Sequence, residues 1–235
     1  LCSFCLSALD KTVRYFDDAT IQTQIKKLIT AGIQKIKFVD RTFNLKPSRM
    51  KDLMQWLTQF KGSEFHFEVV GDILTPEILD FLKTVPAGMF QFEIGIQTTT
   101  ESVQETIQRK QSNEKLFKTI QQLVEQDRIH FHCDLIFGLP GETLKDIQQS
   151  LCKVIALKPH ELQLGFLKFL PGAPINNLIE THQYHYQSTP PYELISHQHL
   201  SPQEVTYLKQ FVDIFDRYYN SKRFRFSIHY LLEKM

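Results

Sequence analysis

The stretch Ile129-His-Phe-His-Cys-Asp134-Leu-Ile-Phe137-Gly138-Leu-Pro-Gly-Glu142-Thr143 reads as a strand, a turn and the opening of a helix. Strand side chains alternate faces, so His130, His132, Asp134 and Ile136 share one face and Phe131, Cys133, Leu135 and Phe137 the other. The turn's glycines let the backbone approach a neighbour closely. The helix behind them carries Leu144, Ile147, Leu151, Val154 and Ile155 at helical spacing. Its first N–H groups are available to a ligand, although the turn taken alone also fits an ordinary strand-to-helix connection.

The same unit recurs on both sides. Further strands are predicted over 33–39, 65–70, 89–96 and 161–169. Helices carry Ile21, Ile25, Leu28 and Ile29, then Met50, Leu53, Met54 and Leu57, then the segment begun by Thr75-Pro76-Glu77, then Leu116, Ile120, Leu123 and Val124. Gly32 sits where the first of these would stop. Strands alternating with helices imply a parallel α/β sheet, and the order fits a barrel or an open sheet equally. After Pro171 the period is lost, and 181–199 is expected to be a loop or cap. A last helix starts at Ser201, where Ser201 and Glu204 form a capping box around Pro202. This predicts a core over 1–175 and a cap with a helical extension over 176–235.

Composition bounds the function. Lys and Arg total 27 against 26 Asp and Glu, a formal net charge of +1, which gives no footprint for nucleic acid. No apolar run reaches the roughly 20 residues that span a bilayer, and residues 1–10 lack the basic flank of a signal peptide. The expectation is a cytoplasmic protein, and the first residue, Leu1, reads as the start of an excised or processed piece. Four cysteines are too few for a disulfide scaffold, so the close pair Cys2-Ser-Phe-Cys5 points to metal or redox chemistry.

In parallel α/β folds the site lies at the carboxyl ends of the strands. There the sequence offers Asp40 and Asn44, Glu68 and Asp72, Gln97 and Thr98, and the turn from Gly138 to Glu142. Alternation puts Glu93, Gly95 and Gln97 on one face. Interior carboxylates are costly unless paired or bound to a polar ligand, so Glu68 and Asp134 are read either as ligand-binding groups or as partners of Lys37 or Arg109.

Three segments resemble the radical S-adenosylmethionine (SAM) superfamily in order and in strand placement. Cys2-Ser-Phe-Cys5 is similar to the second half of its C-x3-C-x2-C loop. Glu93-Ile-Gly-Ile-Gln-Thr98, followed by Arg109, resembles the strand that contacts the methionine and ribose of the cofactor. Asp134 to Thr143 resembles the next strand and turn. Asp40-Arg-Thr-Phe-Asn44 and Leu167-Lys-Phe-Leu-Pro-Gly172 look like the anaerobic Mg-protoporphyrin cyclase and P-methylase group.

The resemblance implies a partial (β/α)6-type TIM barrel that lacks its first strand, with a C-terminal helical extension. It implies Cys2 and Cys5 as ligands of a [4Fe–4S] cluster, with a first cysteine three residues before Leu1, and a cluster formed poorly by two thiolates. Asp40, Glu68, Gln97, Thr98, Arg109, Asp134 and Gly138 are then the residues that bind SAM. Arg109 suits its carboxylate, and Asp134 or Glu68 its amino or hydroxyl groups. The segment 39–42 stands where the family has a glycine-rich stretch. The implied reaction is reductive cleavage of SAM to a 5′-deoxyadenosyl radical that attacks a small-molecule substrate, fed by an electron donor. Cobalamin is implied for a longer parent. Methyl transfer, ring closure and oxidative decarboxylation of the coproporphyrinogen-oxidase kind stay open. Two rivals are a metal-dependent barrel hydrolase built on His130-Phe-His132 and a degenerate, non-enzymatic scaffold. Strand rise argues against the hydrolase, because it sets those histidines roughly 20 Å below the strand ends.

Overall fold

The structure, a computed structural model, describes residues 2–6, 9, 12–232 and 234. Helix α1 (Asp18–Thr30) is capped by Asp17, whose carboxylate accepts from Thr20 N at 2.9 Å, and Gly32 closes it with φ +87°. Strand β1 (Lys35–Lys37) is followed by α2 (Pro47–Leu57), which buries Met50, Leu53, Met54 and Leu57 as its periodicity predicts. Then come β2 (Glu64–Val69), α3 (Pro76–Leu82) capped by Thr75, and β3 (Phe90–Gln97). Helices α4 (Glu101–Thr106) and α5 (Asn113–Gln126) lead to β4 (His130–Phe137), and α6 (Leu144–Ala156) leads to β5 (Glu161–Phe166).

The five strands form one sheet in sequential order. The β1–β2 and β2–β3 ladders are parallel, with Phe65 opposite Phe90 and Glu68 opposite Glu93. Along β2 and β3 the alternation is clean. Phe65, Phe67, Phe90, Phe92, Ile94 and Ile96 are fully buried, while His66, Glu68, Glu93 and Gln97 on the other face keep partial exposure. Each phenylalanine taken out of water contributes about 1.5–3 kcal/mol, which pins the strand register, since a slip by one residue would turn the whole aromatic set outward.

Two compact units divide the chain. One comprises Lys11–Gly95 and Ser112–His132, the other Leu1–Asp10, Ile96–Gln111 and Cys133–Met235. Within the second, residues 181–199 are not an aperiodic loop. They hold an antiparallel hairpin of β6 (His185–Tyr186) and β7 (Leu194–Ser196), and Leu194 N donates to Leu167 O at 3.0 Å. The chain beyond β5 is thus held by the hairpin, through Phe169 N on Tyr192 O at 2.8 Å and a bridge between Lys168 and Glu193. Helix α7 (Pro202–Phe215) carries both bonds of the Ser201–Glu204 capping box and runs through a wide π-turn (Asp216–Asn220) before α8 (Arg225–Leu232). Among the described residues, no helix is long and apolar enough to cross a membrane.

Candidate functional site

Cys2 and Cys5 share one tight turn, closed by Cys5 N on Cys2 O at 3.1 Å. Two backbone bonds strap that turn into place: Ser3 N donates to Ile107 O at 3.0 Å, and Ile175 N donates to Ser3 O at 2.8 Å. Both thiols are half-buried and outside any disulfide, whereas Cys133 is fully buried in β4 and Cys152 lies exposed on α6. Arg109 stands just past α4. Its Nη1 donates to Cys2 Sγ at 3.1 Å, and its Nε donates to Gln111 Oε1 at 2.9 Å. A guanidinium is thereby fixed beside a cysteine sulfur.

Gln97 and Asp134 come together. They line a cavity of about 280 Å³ with Leu135, Ile136, Gln163, Leu164 and Gly165. Gln97 ends β3 in the left-handed region, with φ +71°, an uncommon conformation for a non-glycine residue. Its Oε1 is buried with no hydrogen-bond partner among the described residues. A buried amide oxygen left unpaired costs about 1–3 kcal/mol, so it is a position at which a polar ligand would be favoured.

The turn after β4 is used internally. Glu142 folds back and its Oε2 accepts from Gly138 N at 3.0 Å and Leu139 N at 3.3 Å. These two N–H groups of the turn are therefore taken by a carboxylate, and at the start of the helix, whose N–H groups were expected to be available, Asp146 N donates to Thr143 Oγ1 at 3.2 Å. Burial drives the Glu142 carboxyl up to about 8, against the pull of the Thr98 hydroxyl and the two amides. Thr98 is fully buried and bonded within this network. Gly138 has φ +82°, Tyr184 Oη donates to its carbonyl at 3.0 Å, and a side chain there would meet Leu194 Cδ2 at 1.9 Å.

In the other unit, Asp40 is exposed. Asn44 is buried and clasps the backbone of Val70, donating to its carbonyl at 2.8 Å and accepting from its N–H at 2.9 Å. Asp72 accepts from Ser112 N at 2.9 Å. Glu68 lies 4.0 Å from Lys37 Nζ, one of the pairings weighed for it. Glu93 carries the denser network: its Oε2 meets Lys37 Nζ at 3.0 Å, His66 Nε2 at 3.1 Å and His132 Nε2 at 3.4 Å. The His132 hydrogen bond, with Lys37 and His66 behind it, holds the Glu93 carboxyl at about 2 in spite of burial. His66 was missed from the sequence, although the two-residue period that marked Glu68 also marks His66 on the same face. Nothing local to Glu142 announced that its carboxyl is buried.

The Radical SAM superfamily model matches residues 1–152, more than half of the chain, and a model described as a protein of unknown function (DUF4080) matches residues 180–235. The cobalamin-dependent radical SAM methyltransferase TokK of Streptomyces tokunonensis is 26% identical over 201 residues, covering 80% of this chain and 29% of TokK. Two solved structures share the fold. The radical SAM methyltransferase TsrM from Kitasatospora setae, with cobalamin and a [4Fe–4S] cluster bound, superposes with a TM-score of 0.66 at 16% identity, over 81% of this chain and 38% of TsrM. Coproporphyrinogen III oxidase HemN from Escherichia coli superposes at 0.61 with 19% identity, over 92% of this chain and 50% of HemN. The fold is therefore the partial TIM-barrel-like α/β fold of these structures, as the resemblance implied, where the alternation of strands and helices alone left an open sheet equally possible. The chain spans less than two thirds of the length of each.

Proposed function

The chain belongs to the radical SAM superfamily, and from that premise we propose that it is the core that binds a [4Fe–4S] cluster through Cys2 and Cys5 and holds SAM against it for radical chemistry on a small-molecule substrate. When bound, such a cluster supplies an electron that cleaves a carbon–sulfur bond of SAM. The residues present fit that pair of groups in donor type: two thiolates on one turn, a guanidinium beside them, and a buried amide oxygen without a partner.

The observation that carries the reading is Arg109 on Cys2. The carboxylate of SAM, held at a cluster, would be within reach of a guanidinium fixed on one of the cluster's own cysteine ligands. Arg109 binds that carboxylate, and Gln97 and Asp134 take polar groups of the nucleoside in their shared cavity. Glu68, Asp40, Thr98 and Gly138 complete the proposed set, Thr98 and Gly138 acting through the shape of the turn. The finer outcome we favour is a methyl transfer linked to cobalamin, supported by the likeness to TokK and TsrM. A coproporphyrinogen-oxidase-like reaction is the second reading, favoured by the extent of the HemN superposition. The proposal includes a low-potential electron donor, a cytoplasmic setting, and neither nucleic acid nor membrane as a partner.

The test is SAM binding by the anaerobically reconstituted intact protein, followed by the change in the electron paramagnetic resonance signal of the reduced cluster. Arg109→Ala should weaken SAM binding about 10- to 100-fold, the loss expected for one charged hydrogen-bonded pair, and Arg109→Lys should recover part of it. Unchanged SAM affinity in Arg109→Ala would remove the assignment. Methyl transfer predicts cobalamin in the intact protein and labelled methyl carbon moving from SAM to product.

A further inference from the structure

We propose that His66, Glu93 and His132 form a second metal site, one that takes a borderline divalent ion such as Zn²⁺, Co²⁺ or Fe²⁺ and does not involve Cys2 or Cys5. The three side chains stand on the neighbouring strands β2, β3 and β4, and their ligand atoms all lie within 4.8 Å of one another. Both imidazoles aim Nε2 at the same carboxylate oxygen, at 3.1 and 3.4 Å. Bonds of about 2.0–2.2 Å to one ion separate neighbouring ligands by roughly 3–3.5 Å, the spacing already present between the carboxylate and each imidazole. The rings, 5.3 Å apart between centroids, are held by strands whose opposite faces are filled with buried phenylalanines, so the set is formed before any ion arrives.

The donor set selects the ion. Two imidazoles and one carboxylate suit zinc and non-haem iron, whereas calcium and magnesium favour all-oxygen sites. Three protein ligands also leave at least one position for water or a substrate atom. His132 and His66 side chains are only 10% and 16% exposed, so a bound ion would be shielded from exchange with bulk solvent.

The rival arrangement is a salt-bridge network closed by Lys37, which sits 3.0 Å from the same oxygen. Lys37 is half-exposed on a flexible stem and has a second carboxylate, Glu68, at 4.0 Å. It can therefore swing to Glu68 when an ion takes its place. The two arrangements make opposite statements about Lys37: in the network it completes the set, and at a metal site it competes.

Anaerobic titration of the intact protein with Co²⁺ distinguishes them. We expect one equivalent bound with visible d–d absorption, unaffected by Cys2→Ala and Cys5→Ala. His66→Ala and His132→Ala should each weaken binding on the order of 100-fold or more, since even partners outside the ligand set are worth 10- to 100-fold. Lys37→Met should tighten it. To keep the result independent of how the variants fold, X-ray absorption at the zinc edge of the Zn²⁺-loaded unsubstituted protein should give nitrogen and oxygen ligation with imidazole scattering. Absence of Co²⁺ binding, sulfur in the zinc shell, or affinity unchanged from the unsubstituted protein in either histidine variant would each overturn the site.

Discussion

Glu142 is a carboxyl group folded under a turn, where it meets two amides and a hydroxyl. Its folded value of about 8 lies above the ordinary 4.5. Between those values the folded state binds more protons than the unfolded one, so this group's contribution to stability is fully present below pH 4.5 and is lost as pH rises through 8. The midpoint of thermal unfolding should fall from pH 6 to pH 9, and Glu142→Gln should flatten that fall and be the more stable protein at pH 9, by at most about 5 kcal/mol if the whole linkage is recovered. A calorimetric series across that pH range checks it, and parallel curves for the two proteins would refute it. Gly138→Ala should cost about 2–4 kcal/mol, since it combines a strained left-handed backbone with a clash on Leu194. Trimming Leu194 to Ala in the same chain should return part of the loss, as a double-mutant cycle would measure. At this scale the sequence was informative where a side chain sits on a strand of known period: Gln97 and Asp134 were found by alternation and do share a cavity. It was silent on Glu142, which bonds the Gly138 turn that Tyr184 and Leu194 meet from 46 or more residues further along the chain.

Two asparagines do for backbone what a neighbouring strand does. Asn44 exchanges two hydrogen bonds with Val70, and Asn220 accepts from Leu162 N at 3.0 Å and donates to Leu162 O at 2.9 Å. The first fixes the segment after β1 to the end of β2. The second fastens the π-turn after α7 to the start of β5. Replacing either by alanine leaves a backbone N–H and a C=O without their partners, at about 1–3 kcal/mol each. Asn220→Ala should also raise amide hydrogen exchange at Leu162 well above its rate in the unsubstituted protein, and Asn220→Asp should keep only the accepting half. Elements with strong periodicity were legible, β3 to within a residue and α2 in all four of its buried positions. Helix α4 was not, because six residues give no repeat to read, and the β6–β7 hairpin was not, because its pairing with 167–169 is non-local and its strands are two and three residues long. The expected strand over 33–39 shortens to Lys35–Lys37, the stretch that finds a parallel partner in β2.

As a whole the molecule does not divide at one point in the sequence. The compact unit that contains Cys133–Met235 also contains the cysteine turn and the stretch around Arg109. Residues beyond 175 supply Tyr184 and Leu194 to the Gly138 turn and Asn220 to β5. Deleting 176–235 should therefore lower the unfolding midpoint by more than about 5 °C, several kcal/mol for a chain of this size, and a chain ending at 175 with an unchanged midpoint would contradict that interdependence. The order of synthesis adds a further consequence. Lys11–Gly95 and Ser112–His132 emerge from the ribosome well before the last partner of the cysteine turn, since the backbone bond from Ile175 to Ser3 cannot form until residue 175 has left the exit tunnel. The turn that carries Cys2 and Cys5 therefore lacks one of its two backbone straps until that point. Their thiols are thus open to oxidation, or to an iron–sulfur carrier, during that interval.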